Sequence, residues 1–584
     1  MNNNTLKRAL SESAGQQTLE IEGLHQSPIV CNPYRAPQIH WNWDEANRLQ
    51  KIPTRRAAGY YYKTERFGAG TASLFDQNWD ELTLVNRLRD DVTRWRESGY
   101  QNPSPTVTTR KLLNYWFERE RERPFFFCQR EAVETLIYLA ELRLHGKSST
   151  RNLNLEDDDL GKLLRGERPS FYDATSTLFH PTLIDAAADR ERFPIELRRA
   201  ACKMATGSGK TVVMALLIAW SFCNAANAPD SEVFSGVALV CAPNLTVKER
   251  LQVLRPDTAG NYFEAFDIVP PDLLPALKKG KVIVSNWHNF APRSPHSEGG
   301  KKYRVIDKGA ERPDDMARRV LGDAFGVWPI LVFNDEGHHC WRPAPVVRGN
   351  EGSGEIFGRA DEDEREEATI WTMGLDALNN ARPISKTTLS TRNGVARGIS
   401  LCIDLSATPF YIAGSGHPEG SPFPWIVSDF GLTDAIESGI VKIPRVPVND
   451  TSGRADPKYF RLWKHINEQS HPAGDYQAGG RKRLKAEIIL RDSEDALIQL
   501  AGEWKRTFDA LQTQNPESGI PPVMIIVCDN TDVAQLFYEY ISGEREEEHD
   551  GKRVTLYNQN RVLEEFLNSP ACKRTIRIDT KLLA

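Results

Sequence analysis

Met204-Ala205-Thr206-Gly207-Ser208-Gly209-Lys210-Thr211 is the stretch on which the fold turns. It follows an apolar-ended strand and opens an apolar helix, Thr211 to Cys223, which is the context that a phosphate-cradling loop requires. Gly207 and Gly209 allow backbone N–H groups to approach phosphate oxygens, Lys210 places a charge on the outer phosphates, and the Thr211 hydroxyl can ligate Mg2+. The nucleotide-binding residues expected from this loop are Ala205, Thr206, Gly207, Ser208, Gly209, Lys210 and Thr211. The strict G-x-x-x-x-G-K-[ST] expression is not met, because Met204 stands at its first glycine.

Working outward, short apolar runs alternate with helical patterns from about 196 to 410: Val237 to Cys241, Lys281 to Val284, Ile330 to Phe333 and Leu401 to Leu405. That alternation predicts a parallel, doubly wound α/β sheet. Ligands of such sheets gather at the carboxyl ends of the strands. At one such end stand two adjacent carboxylates, Asp335 and Glu336. Asp335 is expected to hold Mg2+ and Glu336 to orient or deprotonate the water that attacks a γ-phosphate. The following His338-His339-Cys340 run could suggest zinc, but three contiguous residues without a second ligand pair make a poor tetrahedral site.

Composition sets the outer limits. The chain has 584 residues, 40% hydrophobic and 26% charged, as expected of a globular protein large enough for three or four domains. Its 74 Lys and Arg against 79 Asp and Glu give a net charge of −5, so any nucleic-acid contact must come from a local groove rather than from global basicity. The nine cysteines include no Cys-x-x-Cys pair and sit in apolar stretches, which argues against a zinc ribbon or disulfide framework and fits a reducing cytoplasm. No apolar run reaches the roughly 18 residues of a membrane span, so no membrane association is expected.

Residues 1–26 are polar and read as a mobile leader, and 27–120 read as an N-terminal accessory region with a helix from Leu82 to Trp95. Residues 121–423 are assigned to the nucleotide-binding domain, beginning with a long amphipathic helix from Gln129 past Glu141. A polar insertion is expected at about 146 to 192, and the charged stretch Asp361 to Glu367 reads as a solvated loop or helix surface. A Gly- and Pro-rich linker from Gly414 to Pro424 leads to a second α/β region, 424–584, with a strand at Val523 to Cys528 and a helix beginning near Thr531. The basic cluster Arg481 to Lys485 reads as a solvated helix face.

With Met204-Ala205-Thr206-Gly207, Asn334-Asp335-Glu336-Gly337-His338-His339 and Ser406-Ala407-Thr408-Pro409-Phe410 in this order, the chain resembles superfamily-2 DEAD/DEAH-box helicases. The specific likeness is to the restriction (Res) subunits of type III restriction enzymes, and it covers roughly 120 to 584. Asn32-Pro33-Tyr34 and Arg55 to Gly59 also look like features of these relatives. The resemblance implies tandem RecA-like P-loop NTPase domains, ATP and Mg2+ as cofactors, DNA as partner and an accompanying methyltransferase (modification) subunit. It further implies that His338 links the nucleotide site to neighbouring motifs and that Ser406, Ala407 and Thr408 couple nucleotide state to domain movement. Gln129 resembles the glutamine that reads adenine, whereas Asn244 and Thr246, with Asn286 and His288 at a similar strand end, resemble loops that touch nucleic-acid phosphates.

The resemblance is incomplete. No Gln-x-x-Gly-Arg-x-x-Arg pattern is present, so the second lobe reads as lacking the arginine finger that contributes about 10³ to 10⁵ in rate. The chain is therefore expected to bind ATP but to hydrolyse it poorly alone. The family's nuclease is not visible either: Glu503-Trp504-Lys505 reads as part of a surface helix. The functional expectation is a DNA-dependent ATPase or translocase, with a regulatory nucleotide- and DNA-binding module or an RNA helicase as alternatives.

Overall fold

The computed structural model describes residues 27–43, 48–63, 77–118, 120–144, 157–167, 193–291, 311–342, 359–382, 397–412, 415, 417, 420–442, 462–476, 483–514, 521–528, 530–549, 552–557 and 562–578. The leader, most of the 146–192 insertion and Arg481-Lys482 lie outside them. The chain divides into two compact units, 1–443 and 444–584.

The first unit begins with two antiparallel ribbons, β1 (His40–Trp43) with β2 (Leu49–Ile52) and β3 (Gly59–Lys63) with β4 (Gln77–Glu81). Three helices follow, α1 (Thr83–Glu97), α2 (Val107–Phe117) and α3 (Phe127–Ile137), the last continuing as a π-helical stretch, Tyr138–Arg143. The central sheet is built from β5 (Arg199–Met204), β6 (Val237–Ala242), β7 (Lys281–Asn286), β8 (Ile330–Asp335), β9 (Ile399–Ser406) and β10 (Ile426–Phe430). Its order is β10-β5-β9-β8-β6-β7, and every pairing is parallel. Between these strands run α4 (Lys210–Ala225), α5 (Leu245–Arg250), α6 (Pro313–Leu321) and α7 (Arg359–Asn380), with α8 (Leu432–Glu437) after β10.

The strands are apolar on both faces because helices cover both. Along β6, Ala238, Val240 and Ala242 join one buried cluster with α1, α2, α3 and α4, while Val237, Leu239 and Cys241 join a second with α6 and α7. Each fully buried Val, Leu or Ile here contributes about 1.5–3 kcal/mol. The two-residue alternation between clusters is the signature of a sheet buried on both sides.

Two boundaries differ from expectation. Strand β10, assigned from sequence to the second region, pairs with β5 inside the first unit, and α8 follows it there. Residues 27–120 share the first unit's core: Leu88, Trp95, Leu112 and Trp116 pack in the same cluster as Val213 and Leu216 of α4. Hydrogen bonds stitch this region down, from the Val30 and Cys31 N–H groups to the Glu437 carbonyl and from the Phe127 N–H to the Pro33 carbonyl. The charged Asp361 to Glu367 stretch forms the first turns of α7.

The second unit contains α9 (Leu462–Glu468), α10 (Ala486–Gln514), α11 (Thr531–Ser542) and an antiparallel hairpin, β11 (Glu544–His549) with β12 (Lys552–Tyr557). Ile466, Ile489, Leu497, Val533, Phe537 and Phe566 form its core. The strand expected at Val523 to Cys528 pairs with no neighbour among the described residues. Val523, Ile525 and Val527 are 81%, 80% and 89% exposed, while Met524 and Cys528 pack against the core. Glu503-Trp504-Lys505 lies in α10, as expected, with the Trp504 indole N–H donating to the Pro522 carbonyl at 2.8 Å.

Candidate nucleotide site

Because all six strands of the sheet run parallel, their carboxyl ends share one edge. In-register pairs set Lys203 beside Ser406, Asp335 beside Leu405, Asn334 beside Cys241 and Ala242 beside Asn286. Along the chain the motifs stand apart, at 205–211, 335–338 and 406–408. On the edge they are neighbours.

The phosphate loop occupies the turn from β5 to α4. Gly207 and Gly209 have φ of +85° and +88°, a left-handed conformation that side chains with a Cβ rarely adopt. Ser208 is buried, its N–H and hydroxyl both donating to the Ala205 carbonyl at 3.1 and 2.6 Å. Thr206 and Gly207 are exposed at the tip, and Lys210 and Thr211 open α4.

Gln129 lies on α3 behind the loop, buried, with its amide bonded at both ends. Its Oε1 accepts from the Phe126 N–H at 3.0 Å and its Nε2 donates to the Ser208 carbonyl at 2.9 Å. It therefore braces the 205–211 loop, with a second Nε2 hydrogen and a second Oε1 lone pair left over.

Opposite the loop, Lys210 Nζ donates to Glu336 Oε1 at 2.8 Å. Asp335 ends β8, fully buried. Its Oδ2 accepts from Arg250 Nη2 at 3.1 Å, while its Oδ1 has no hydrogen-bond partner. Burial raises the Asp335 pKa, Lys210 and Arg250 oppose the rise, and Glu336 adds to it. Glu336 itself has φ of +51°, a strained backbone for a residue with a Cβ. That turn aims its carboxylate at Lys210.

An unpartnered buried carboxylate oxygen beside a carboxylate–lysine pair is a donor set suited to Mg2+, which takes one or two carboxylates, a hydroxyl, phosphate oxygens and water. Asp335 and the Thr211 hydroxyl are the residues that would hold it. No group of three His, Cys, Asp or Glu side chains able to enclose a metal occurs among the described residues.

His338 lies in the tight turn after β8 and sits 2.8 Å from Ser406 Oγ through Nδ1. Ser406 Oγ also accepts from the Thr408 N–H at 3.0 Å, which closes the turn through Ala407. Burial, reinforced by His339 and opposed by Glu336, lowers the His338 pKa to about 4, so its ring is neutral at physiological pH.

Beneath this surface Asp404 of β9 gathers four donors. Asn334 Nδ2 reaches its Oδ1 at 2.7 Å, and Arg199 Nε, Arg199 Nη2 and Trp425 Nε1 reach its Oδ2 at 3.0, 2.8 and 2.8 Å. Arg199 also donates to the Cys340 carbonyl at 2.6 Å. Gly337 has to be glycine here: a Cβ on it would lie 2.7 Å from the Asp404 Cβ. Charged residues inside apolar strands, Arg199 in β5 and Asp404 in β9, were the available signals for this network. Arg250 gave no such signal.

The expected nucleic-acid residues lie at the far side of the same edge. Asn244 caps α5 by accepting from the Val247 N–H at 2.9 Å, and Thr246 is exposed. Asn286 is buried at the end of β7, its Nδ2 3.3 Å from His288 Nδ1, and the exposed His288 ring stacks on Trp287 at 3.7 Å. Asn244 and Thr246 thus follow the strand end that pairs with Asn286. The structure does not bring them against Lys210.

Among the described residues no helix is long and apolar enough to cross a membrane. No protein-family model, curated protein or solved structure matches this chain.

Proposed function

We propose that this chain binds ATP with Mg2+ at the carboxyl edge of its parallel sheet and hydrolyses it as the motor part of a helicase- or translocase-type enzyme acting on DNA. The observation that carries this reading is the convergence of Lys210, Asp335 and Glu336 at one point facing the phosphate loop, with Asp335 Oδ1 buried and unpartnered. Motif order supports the helicase assignment, and the likeness to type III restriction subunits supports DNA as the track and a modification subunit as partner.

The arrangement suggests a sequence of roles. Lys210 leaves Glu336 for the outer phosphates, and that exchange frees the carboxylate. Asp335 and the Thr211 hydroxyl would hold Mg2+, which would supply charge neutralisation to the phosphates. Glu336 then orients the attacking water and accepts its proton. His338, neutral, carries the altered position of the acidic turn to Ser406 and the Ala407-Thr408 turn that follows it.

Steady-state phosphate release with duplex DNA, single-stranded DNA, RNA or no nucleic acid tests the reading. Stimulation by DNA is the expected result. Stimulation by RNA alone would move the substrate to RNA, and nucleotide binding without turnover under any condition would leave a regulatory binding module.

A further inference from the structure

Arg250 is the last residue of α5, the short helix that Asn244 caps, and its guanidinium reaches back to Asp335 Oδ2 at 3.1 Å. Its side chain is 62% exposed, whereas that of Asp335 is 1% exposed. A solvated cation therefore touches the buried carboxylate expected to hold Mg2+, from the helix that follows the expected nucleic-acid loop. We propose that Arg250 is a resident counter-ion that competes with Mg2+ for Asp335 and releases it when α5 meets a nucleic-acid strand, a role that rests on the nucleotide reading above.

The physical argument has three parts. Asp335 is buried, and Arg250 at 3.1 Å is a cation in contact with its carboxylate before a metal arrives. With Arg250 on Oδ2 and Oδ1 the open oxygen, a guanidinium and Mg2+ on the same carboxylate repel each other, so binding of one weakens the other. Finally, arginine pairs with phosphate in the same forked geometry as with carboxylate, and Arg250 needs only to swing about its exposed stem to exchange Asp335 for a phosphodiester. Asn244 caps the same short helix that Arg250 ends. Because coupling of two binding equilibria is reciprocal, a strand that draws Arg250 away lowers the Mg2+ requirement, and Mg2+ with nucleotide tightens the strand by the same factor.

The test is a Mg2+ titration of fluorescent mant-ATP binding to the full chain, with and without a single-stranded oligodeoxynucleotide, for the wild type and Arg250→Ala. The oligonucleotide should lower the half-saturating Mg2+ concentration of the wild type. Without it, the variant should already need about two- to fivefold less Mg2+, the range of a largely exposed charge pair, and should not respond further. Arg250→Gln serves as a second, near-isosteric variant where alanine lowers the melting temperature. A variant with the wild-type Mg2+ curve, or one that still responds to the oligonucleotide as the wild type does, overturns the proposal while nucleotide binding stands. A wild type that fails to bind mant-ATP at any Mg2+ concentration overturns the nucleotide reading itself, and this proposal with it.

Discussion

Lys210 and Glu336 hold each other in a pair that the proposed nucleotide binding would have to open, so their substitutions should separate. On that proposal, loss of the ammonium would remove contact with the phosphates, whereas Glu336→Gln would keep the shape and remove the base. The account predicts that Glu336→Gln holds ATP within about threefold of the wild type while phosphate release falls by about 10²-fold or more. Equilibrium binding beside single-turnover hydrolysis separates the two effects. His338 gives a pH prediction with a definite sign. Its folded pKa of about 4 lies below the unfolded value near 6.5, so the stability contributed by the neutral ring is complete above pH 6.5 and is lost as pH falls toward 4. Thermal unfolding of His338→Ala should be less pH-dependent than that of the wild type across that window. An unchanged slope would remove His338 from the buried neutral role.

At the scale of elements, the contact between α3 and the phosphate loop is the most exacting. A Cβ on Gly209 would stand 2.1 Å from Gln129 Nε2, and the +88° φ would be strained as well. Gly209→Ala should cost about 1 kcal/mol or more in backbone strain alone and weaken ATP binding by at least about tenfold, measurable by calorimetry and a melting curve. Adding Gln129→Ala should restore stability only in part, because the φ strain remains. Most elements of the parallel sheet were legible in the sequence. The four strand cores named there are short apolar runs bounded by turn residues, and a sheet buried on both faces demands that pattern. What was not legible was partnership. Ile426 to Phe430 looked like the start of a new region because chain order carries no register, yet it completes the edge beside β5. Val523 to Cys528 has strand composition, but a strand needs a neighbour, and among the described residues it has none. Gln129, Lys210, Asp335 and Glu336 stood out because motif chemistry requires adjacency in sequence. Arg250 did not, since a basic residue at the end of Leu245-Thr246-Val247-Lys248-Glu249-Arg250 reads as an ordinary exposed helix end.

Across the first unit as a whole, an N-terminal strap holds the site's supporting elements together through buried charge. Arg55 forks onto Glu131 of α3 with two bonds of 2.6 Å, and Arg56 reaches both Asp434 and Glu437 of α8. Burial alone would raise the Glu131 pKa, but Arg55, with Arg89 and Arg96, outweighs it and lowers the value to about 2. A carboxylate so depressed contributes stability above its unfolded pKa near 4.5, and that contribution is lost as pH falls from there toward 2. Arg55→Ala should destabilise the protein by about 3 kcal/mol, as expected when one partner of a buried pair is removed, with Arg55→Ala/Glu131→Gln recovering much of the loss in urea unfolding. Equal losses in the single and double variants would show that the pair is not the strap's anchor. The central claim, however, concerns the point on which strap, sheet and loop converge. Its most direct test is isothermal titration of ATP with Mg2+ into the wild type and Lys210→Ala. The account predicts saturable one-site binding by the wild type and at least tenfold weaker binding by the variant, a loss of about 1.4 kcal/mol or more; equal affinity in the two proteins would contradict it.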